Sequence, residues 1–571
     1  MPEQVAAWEE NLQIDDVQPV HENRPARRVR SLRTVSWCVF IALVLFVCYI
    51  RLSWTVPVNS DGAANVLQAQ SILRGDLRLH GWWLSDASFY TTELPQYVML
   101  VALLGAVPAV VHVAAAMTYT LAVVLAAVLA KGRATGREGV LRMVIAAGIM
   151  LAPQPGGGLN VGGGAFVLDL SLGHIGTSIP LLITWLVIDR AGRRRWVPPV
   201  VGILLAWVLT ADSLVVYVGV IPLVVVCGIR AYQDVVVNRR PIAAAWFEIA
   251  LAASALAALP VSAAVLAYIR SIGGFIVYPD HPVLATGAIL PSNVAVTFEG
   301  VLTLFGANFL GLSMGFDLDL ALLHLAGVVL ACWAVWLGLR KLARRRGPDG
   351  LAEEIMAVAV VANLVAFVFS TLAIDPSYAR EIAVELPFSA ALAGRLLAKR
   401  LASSRLLPAL AAVLACYIAG LGFGVAQPPV PTMNQQLASW LEQHHLRYGL
   451  GEYWQANSIT LASGQRVLVR PVDMAPGGKV GAYPWESEAS WYDAAYYHAN
   501  FVVLYPDGVP YKSYPTYRQA LHTFGRPDQT WHLGDYLVLV YHKNLLNGLA
   551  CGDIYGLPSG QGPSQEVPSC K

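Results

Sequence analysis

Residues 60–76 read SDGAANVLQAQSILRGD, a few positions beyond the hydrophobic run TVSWCVFIALVLFVCYI at 34–50. An acidic residue, Asp61, stands where the chain has just left the apolar run. The composition of 62–74 predicts a short helix with Ala63, Val66, Leu67, Ala69, Ile72 and Leu73 weighted to one side, ended by Gly75. Such a helix can lie in a bilayer interface with its apolar side in lipid. Asp61 then has two readings. It is the helix N-cap, or its carboxylate faces a cavity at the outer membrane surface and acts as a base; both can hold at once.

The rest of the chain places that run in a membrane. Of 571 residues, 56% are hydrophobic and only 13% charged, with a mean hydropathy of +0.54. A soluble domain carries roughly 25% charged residues. Apolar stretches recur at about the 20-residue length that crosses a hydrocarbon core of about 30 Å. The first run has basic residues on its N-terminal side and no small-residue cleavage site, so it reads as a retained first span. Residues 1–33 before it read as a cytoplasmic, disordered tail.

Basic clusters mark cytoplasmic loops. They fall at 24–33, 131–138, 189–196, 230–240, 340–346 and 398–405. Threading between them predicts spans at 34–50, 94–130, 139–153, 174–189, 198–210, 213–229, 242–268, 317–339, 351–373, 382–398 and 405–425. That is a mainly α bundle of about eleven spans, N-terminus inside, with 94–130 long enough to hold two pieces around Pro108 and 198–229 short for two crossings. Counted with those ambiguities, the bundle could hold 12 or 13 spans. Three outer loops are long: 51–93, 154–173 and 269–316. The transmembrane domain covers 34–425. From 427 to 571 the composition turns richer in Tyr, Trp, Gly, Pro and His, with strand-like runs QRVLVRPV, NFVVLY and YLVLVYH. This predicts a small extracytoplasmic α/β domain.

Five cysteines (Cys38, Cys48, Cys227, Cys332 and Cys416) lie in apolar spans as small packing residues, while Cys551 and Cys570 lie where a disulfide is plausible. GGGLNVGGG at 156–164 lacks the strand, helix and lysine of a phosphate loop. No nucleic-acid partner is expected.

The first outer loop continues GWWLSDASFYTTELPQY (81–97), contributing Asp86, Glu93 and Tyr97. Glu93 stands at the start of the next span, where a charge is costly unless it meets a polar cavity or a partner. Trp82 and Trp83 read as interfacial anchors. Asp212 lies at the outer end of a tight helical pair, and His174 at the outer end of another span. Arg380 is nearly alone among basic residues on the outer side of the late spans. Its guanidinium suits a lipid phosphate; the plainer alternative is an ion pair with Asp375 or Glu385. Asp169, Asp280 and His281 are weaker outer-loop candidates. The aromatic residues of 440–497, Trp440, Trp491 and Tyr492 among them, read as packing first and a sugar-stacking surface second.

The loop resembles that of polytopic glycosyltransferases of the GT-C fold class, with a pattern close to D-x-A-x-x-x-x-A-x-x-I-L-x-G carried by Asp61, Ala63 or Ala64, Ala69, Ile72, Leu73 and Gly75. DPSYAREIAVELPFSAALAGRLLA (375–398) is similar to the late R-Y-x-x-x-x-x-P span start of that class, with Arg380–Glu381 in place of Arg-Tyr. The resemblance implies an inverting transferase of the plasma membrane. It would move a sugar from a polyprenyl-phosphate donor to an extracytoplasmic glycan, lipid or protein acceptor. Asp61 and Glu93 would be catalytic; Arg380, His174, Asp86, Tyr97 and Asp212 would bind substrate. Paired carboxylates can hold Mg²⁺ or Mn²⁺, although no tight D-x-D motif occurs. The competing expectation is a transporter or lipid-handling protein, which predicts internal repeats with broken helices at mid-membrane; no repeat is evident.

Overall fold

A computed structural model describes residues 24–151, 174–277, 283–344, 349–475, 477–505 and 515–550. Asp169, Asp280, His281, Cys551 and Cys570 lie outside the described residues. The chain divides after Leu45 into two units. In the first, the described residues belong to helix α1 (Arg24–Ser53). Everything from Phe46 onward belongs to the second.

The membrane portion continues with α2 (Ser60–Leu73), α3 (Leu94–Leu104), α4 (Ala109–Lys131), α5 (Gly136–Ile149), α6 (Ser178–Ala191), α7 (Val197–Ala211) and α8 (Ile221–Tyr232). It then runs through α9 (Trp246–Ser271), α10 (Leu290–Leu304), α11 (Phe316–Ala343), α12 (Leu351–Val368), α13 (Glu385–Ala402) and α14 (Leu407–Ala426). Among the described residues, seven helical stretches are long and apolar enough to cross a membrane: Ser36–Ser53, Ala109–Lys131, Val216–Val237, Ile242–Ser271, Phe316–Ala343, Leu351–Val368 and Leu407–Ala426. Exposed apolar side chains on α9 (Leu256, Val261, Val265) and α14 (Ile418, Phe423) fit a surface solvated by lipid. The chain is a multi-pass membrane protein.

The stretch 94–130 resolves into two helices. Gly105 (φ +79°) ends α3, and Pro108 stands just ahead of α4. At about 1.5 Å per residue, the 11-residue α3 falls well short of a full crossing. A helix also forms inside the third long outer loop, α10.

Helix α2 is a buried helix, which corrects the interfacial reading. Every residue from Gly62 to Ala69 is buried, and α2 packs between α3 and helix α16 (Tyr453–Ala462) of the C-terminal region. Its N-cap is Asn59, whose Oδ1 accepts from Gly62 N at 3.0 Å. Asp61 is therefore free of capping and sits in the first turn.

The C-terminal region is built on a six-stranded sheet, from β3 (Tyr448–Gly451), β4 (Leu468–Ala475), β5 (Lys479–Ala482), β7 (Phe501–Leu504), β8 (Gln529–Leu533) and β9 (Tyr536–Val540), in the order β5-β4-β3-β7-β9-β8. β3 runs parallel to both β4 and β7. Helices α15 (Gln435–Gln443) and α16 cover it, with Leu441, Ile459, Val469, Phe501, Val503 and Val538 in the core. A last helix, α17 (Tyr517–Phe524), opens with a capping box between Thr516 and Gln519.

A second, three-stranded sheet joins distant parts of the chain. β1 (Trp82–Leu84) pairs in parallel with β2 (Ile276–Val277) and antiparallel with β6 (Ser487–Glu488). Trp82 and Trp83 are thus buried strand residues, not membrane anchors, with the Trp82 ring 5.1 Å from that of Trp491. Their backbones pair in the ladder and their rings pack against Trp491 and Tyr492 of the C-terminal region, so both are held inside the protein.

Candidate functional site

Asp86 follows β1 by two residues and Glu486 precedes β6 by one, so the antiparallel pairing of β1 with β6 delivers both carboxyl groups at the same end of the small sheet. The first turn of α2 supplies Asp61. The 3-10 turn Pro376–Ile382 ahead of α13 supplies Arg380 and Glu381. The turn before α6 supplies His174, and the broken end of α7 supplies Asp212, in extended conformation.

These groups meet. Arg380 Nη1 lies 3.6 Å from Asp61 Oδ2, and its Nε lies 3.4 Å from Glu381 Oε1. The guanidinium also covers the Tyr378 ring, 5.4 Å from its centroid. The alternative pairing with Asp375 or Glu385 does not form; the partners are Asp61 and Glu381. Asp375 instead caps its own turn, accepting from Ser377 N at 2.8 Å. The other oxygen of Asp61, Oδ1, accepts a hydrogen bond from the Tyr453 hydroxyl.

His174 bridges two carboxylates. Its Nδ1 lies 2.6 Å from Asp212 Oδ2 and its Nε2 2.9 Å from Glu381 Oε2. Asp212 also accepts from the Thr177 hydroxyl and, at 2.8 Å, from Leu214 N. Burial disfavours the charged imidazole, but the two flanking carboxylates outweigh it and hold the His174 pKa well above its ordinary value. Asp86, His174 and Glu381 each present one ligand atom within 4.8 Å of the others.

Glu93 is buried beside this group. Burial lifts its pKa to about 7. Its side chain fills the space over Gly176, where an added methyl would come within 1.8 Å of Glu93 Oε1. Tyr97 is buried one turn further on, near enough to Glu93, Glu486 and Asp61 for their charges to reach its hydroxyl. Burial, reinforced by Asp61, pushes the Glu486 pKa to about 8. Its Oε2 accepts from Gln68 Nε2 at 2.7 Å.

Three non-glycine residues here hold left-handed backbone: Phe89 (φ +48°), His174 (φ +44°) and Glu486 (φ +51°). Each costs of order 1–3 kcal/mol, and such outliers cluster where the surroundings over-determine a functional geometry. The rings of Phe89 and His174 are 6.1 Å apart.

The structure therefore brings Asp61, Asp86, Glu93, Tyr97, His174, Asp212 and Arg380 into one neighbourhood. Sequence reasoning missed Glu381, Tyr453, Glu486 and Gln68. Glu381 was detectable as the acid beside Arg380. The other three carry no local signal, since their partners lie hundreds of residues away.

The arrangement is a partly open acidic cluster with one arginine. The side chains of Asp61 and Arg380 are 19% and 35% exposed, whereas His174, Asp212 and Glu381 are buried behind them. It can hold an anion on the guanidinium beside a carboxylate able to take a proton.

The fold is similar to that of ArnT from Cupriavidus metallidurans in the apo state, with a TM-score of 0.51 at 11% identity over 91% of this chain and 99% of that one. ArnT bound to undecaprenyl phosphate matches with a TM-score of 0.48 at 13% identity, over 88% and 97%. The Archaeoglobus fulgidus oligosaccharyltransferase tethered to an acceptor peptide matches with a TM-score of 0.42 at 14% identity, covering 76% of this chain and 63% of that one. This chain thus spans under two thirds of that protein's length. No protein-family model matches the sequence, and no curated protein does. At these identities the likeness is one of fold, and the fold is the GT-C type that the first outer loop resembles.

Proposed function

We propose that the chain is an inverting membrane glycosyltransferase that moves a sugar from a polyprenyl-phosphate donor to a hydroxyl of an extracytoplasmic glycan, lipid or protein. The observation that carries this reading is the Asp61–Arg380 pair, 3.6 Å apart and accessible, on two segments that the basic clusters place at the outer membrane face. In that orientation the N-terminus is cytoplasmic, the C-terminal region is extracytoplasmic and the membrane is the plasma membrane.

Transfer needs a base at the nucleophile and stabilisation of the departing phosphate. Asp61 takes the proton of the acceptor hydroxyl as that oxygen bonds to the anomeric carbon. The bond from that carbon to the phosphate oxygen breaks, and its electron pair leaves on the phosphate. Arg380 holds that anion. Its contacts to Asp61 and Glu381 are long and single, so N–H donors remain for phosphate oxygens. Glu93 keeps the wall behind them polar, and Tyr97 and Asp212 support that wall.

The Asp86–His174–Glu381 group fits a divalent cation. Its donor set is one imidazole and two carboxylates; Nε2 pairs with Glu381 at 2.9 Å, so a cation would have to displace the proton there, with Asp212 on Nδ1 orienting the ring. A nitrogen donor suits Mn²⁺ better than Mg²⁺. Such a cation would neutralise charge on the donor phosphate.

The test is sugar transfer from polyprenyl-phosphate donors in membranes carrying the wild type or Asp61→Asn. The reading expects a loss of about 10²- to 10⁴-fold, the span of general-base catalysis. Transfer at the wild-type rate by the variant excludes Asp61 as the base. A transporter would leave donor and acceptor chemically unchanged.

A further inference from the structure

We propose that Tyr453, from the C-terminal region, is the positioning residue of the site: it holds Asp61 off Arg380 and so leaves the guanidinium free for a lipid phosphate. This rests on the reading of Arg380 as the phosphate-binding residue.

The two oxygens of Asp61 are divided between partners. Oδ1 takes the Tyr453 hydroxyl, and Oδ2 faces Arg380 at 3.6 Å. An unrestrained carboxylate beside an arginine closes into a bidentate pair at about 2.7–2.9 Å. Here the phenol holds the carboxylate back from that geometry. A closed pair would bury the donors that a phosphate needs.

Tyr453 is itself fixed on every side. It is buried, and its carbonyl accepts from Ser60 Oγ at 2.6 Å, the residue immediately before Asp61. Ser458 N, one turn on in α16, donates to the same Ser60 Oγ at 3.4 Å. Beside it, Asn457 Nδ2 donates to the Glu486 carbonyl at 3.0 Å, and the Glu486 side chain accepts from Gln68 Nε2 at 2.7 Å. The first part of helix α16 is thereby clamped onto α2, directly at Ser60–Asp61 and through Glu486 at Gln68. The phenol ring is buried on that clamped helix and packs against Trp454 and Tyr483, with ring centroids 5.2 and 5.8 Å away. The C-terminal region is then a working part of the site.

The experiment measures binding of undecaprenyl phosphate to the full-length purified protein, for wild type, Arg380→Ala, Tyr453→Phe, Asp61→Asn and the Tyr453→Phe/Asp61→Asn pair, with thermal unfolding of each. Tyr453→Phe keeps the ring and its packing. It is expected to weaken binding about tenfold, the scale of a hydrogen bond to a charged group. In the Asp61→Asn background it is expected to change nothing, because the closing partner has gone. Wild-type binding by Tyr453→Phe, or the same weakening in both backgrounds, overturns the proposal; the second result marks a merely structural role. Unchanged binding by Arg380→Ala instead overturns the phosphate reading beneath it, and the proposal with it.

Discussion

Asp61 Oδ2 and Arg380 Nη1 lie 3.6 Å apart, although one residue opens the first outer loop and the other precedes a late span. The pair is loose and partly open to solvent, unlike the pairs on the opposite, basic-cluster side. There Arg230 Nε meets Glu354 at 2.6 Å with both side chains buried, and Arg395 Nε meets Glu353 at 2.6 Å. Tight buried pairs hold helices together, and breaking one strands a charge. A long, partly open pair is instead free to exchange partners.

Replacing Arg380 by Lys separates charge from shape. Lysine keeps a cation but loses the planar fork. Binding of undecaprenyl phosphate is expected to weaken by about tenfold, the equivalent of about 1.4 kcal/mol. Unchanged binding means that only net charge matters at this position.

Gly176→Ala tests the packing behind the site. The new methyl would lie 1.8 Å from Glu93 Oε1, so either Glu93 or the His174 turn must shift. Overpacking of this kind costs about 1–3 kcal/mol. Thermal unfolding should show the loss, and Glu93→Ala in the same chain should restore much of it. Wild-type stability in the single variant would mean the turn yields freely.

The Glu486 carboxyl makes stability depend on pH. Its folded pKa is raised to about 8 by burial and by Asp61, whereas an unfolded glutamate titrates near ~4.3. Between those values the folded form holds a proton that the unfolded form has released. Stability from this group is therefore fully present below ~4.3 and declines as pH rises toward about 8. Glu486→Gln keeps an acceptor for Gln68 and removes the titration. The melting temperature should then fall less steeply between about pH 5 and pH 8; equal slopes would show that Glu486 does not titrate in this range.

Metal binding can be read without any sugar substrate. Mn²⁺ titrated into the purified protein should bind, and Asp212→Asn should weaken it about 10- to 100-fold by releasing the His174 ring from its orienting partner. His174→Ala should abolish it. Equal Mn²⁺ affinity in all three proteins would remove the cation from the account.

Much of the fold was legible because the membrane imposes it. Basic clusters and apolar lengths give the order of helices, and the runs at 468–472, 501–504 and 536–540 give the later strands. Asp61, Asp86, Glu93 and Arg380 were visible because a charge beside an apolar span needs a reason. The errors came where tertiary packing overrides local pattern. Helix α2 looked lipid-facing because its apolar side has the period of an interfacial helix, yet α16 covers it. Trp82 and Trp83 looked like anchors because nothing local reveals a strand whose partners lie at 276–277 and 487–488. Tyr453 and Glu486 were invisible for the same reason.

The central claim is that Asp61 and Arg380 share one lipid-phosphate site. A structure of the protein with undecaprenyl phosphate tests it most directly. The phosphate should lie within hydrogen-bond distance of the Arg380 guanidinium, with Asp61 on the side away from the lipid chain and Tyr453 still bonded to Asp61 Oδ1. A phosphate seated elsewhere on the bundle, with the Asp61–Arg380 pair undisturbed, would contradict it.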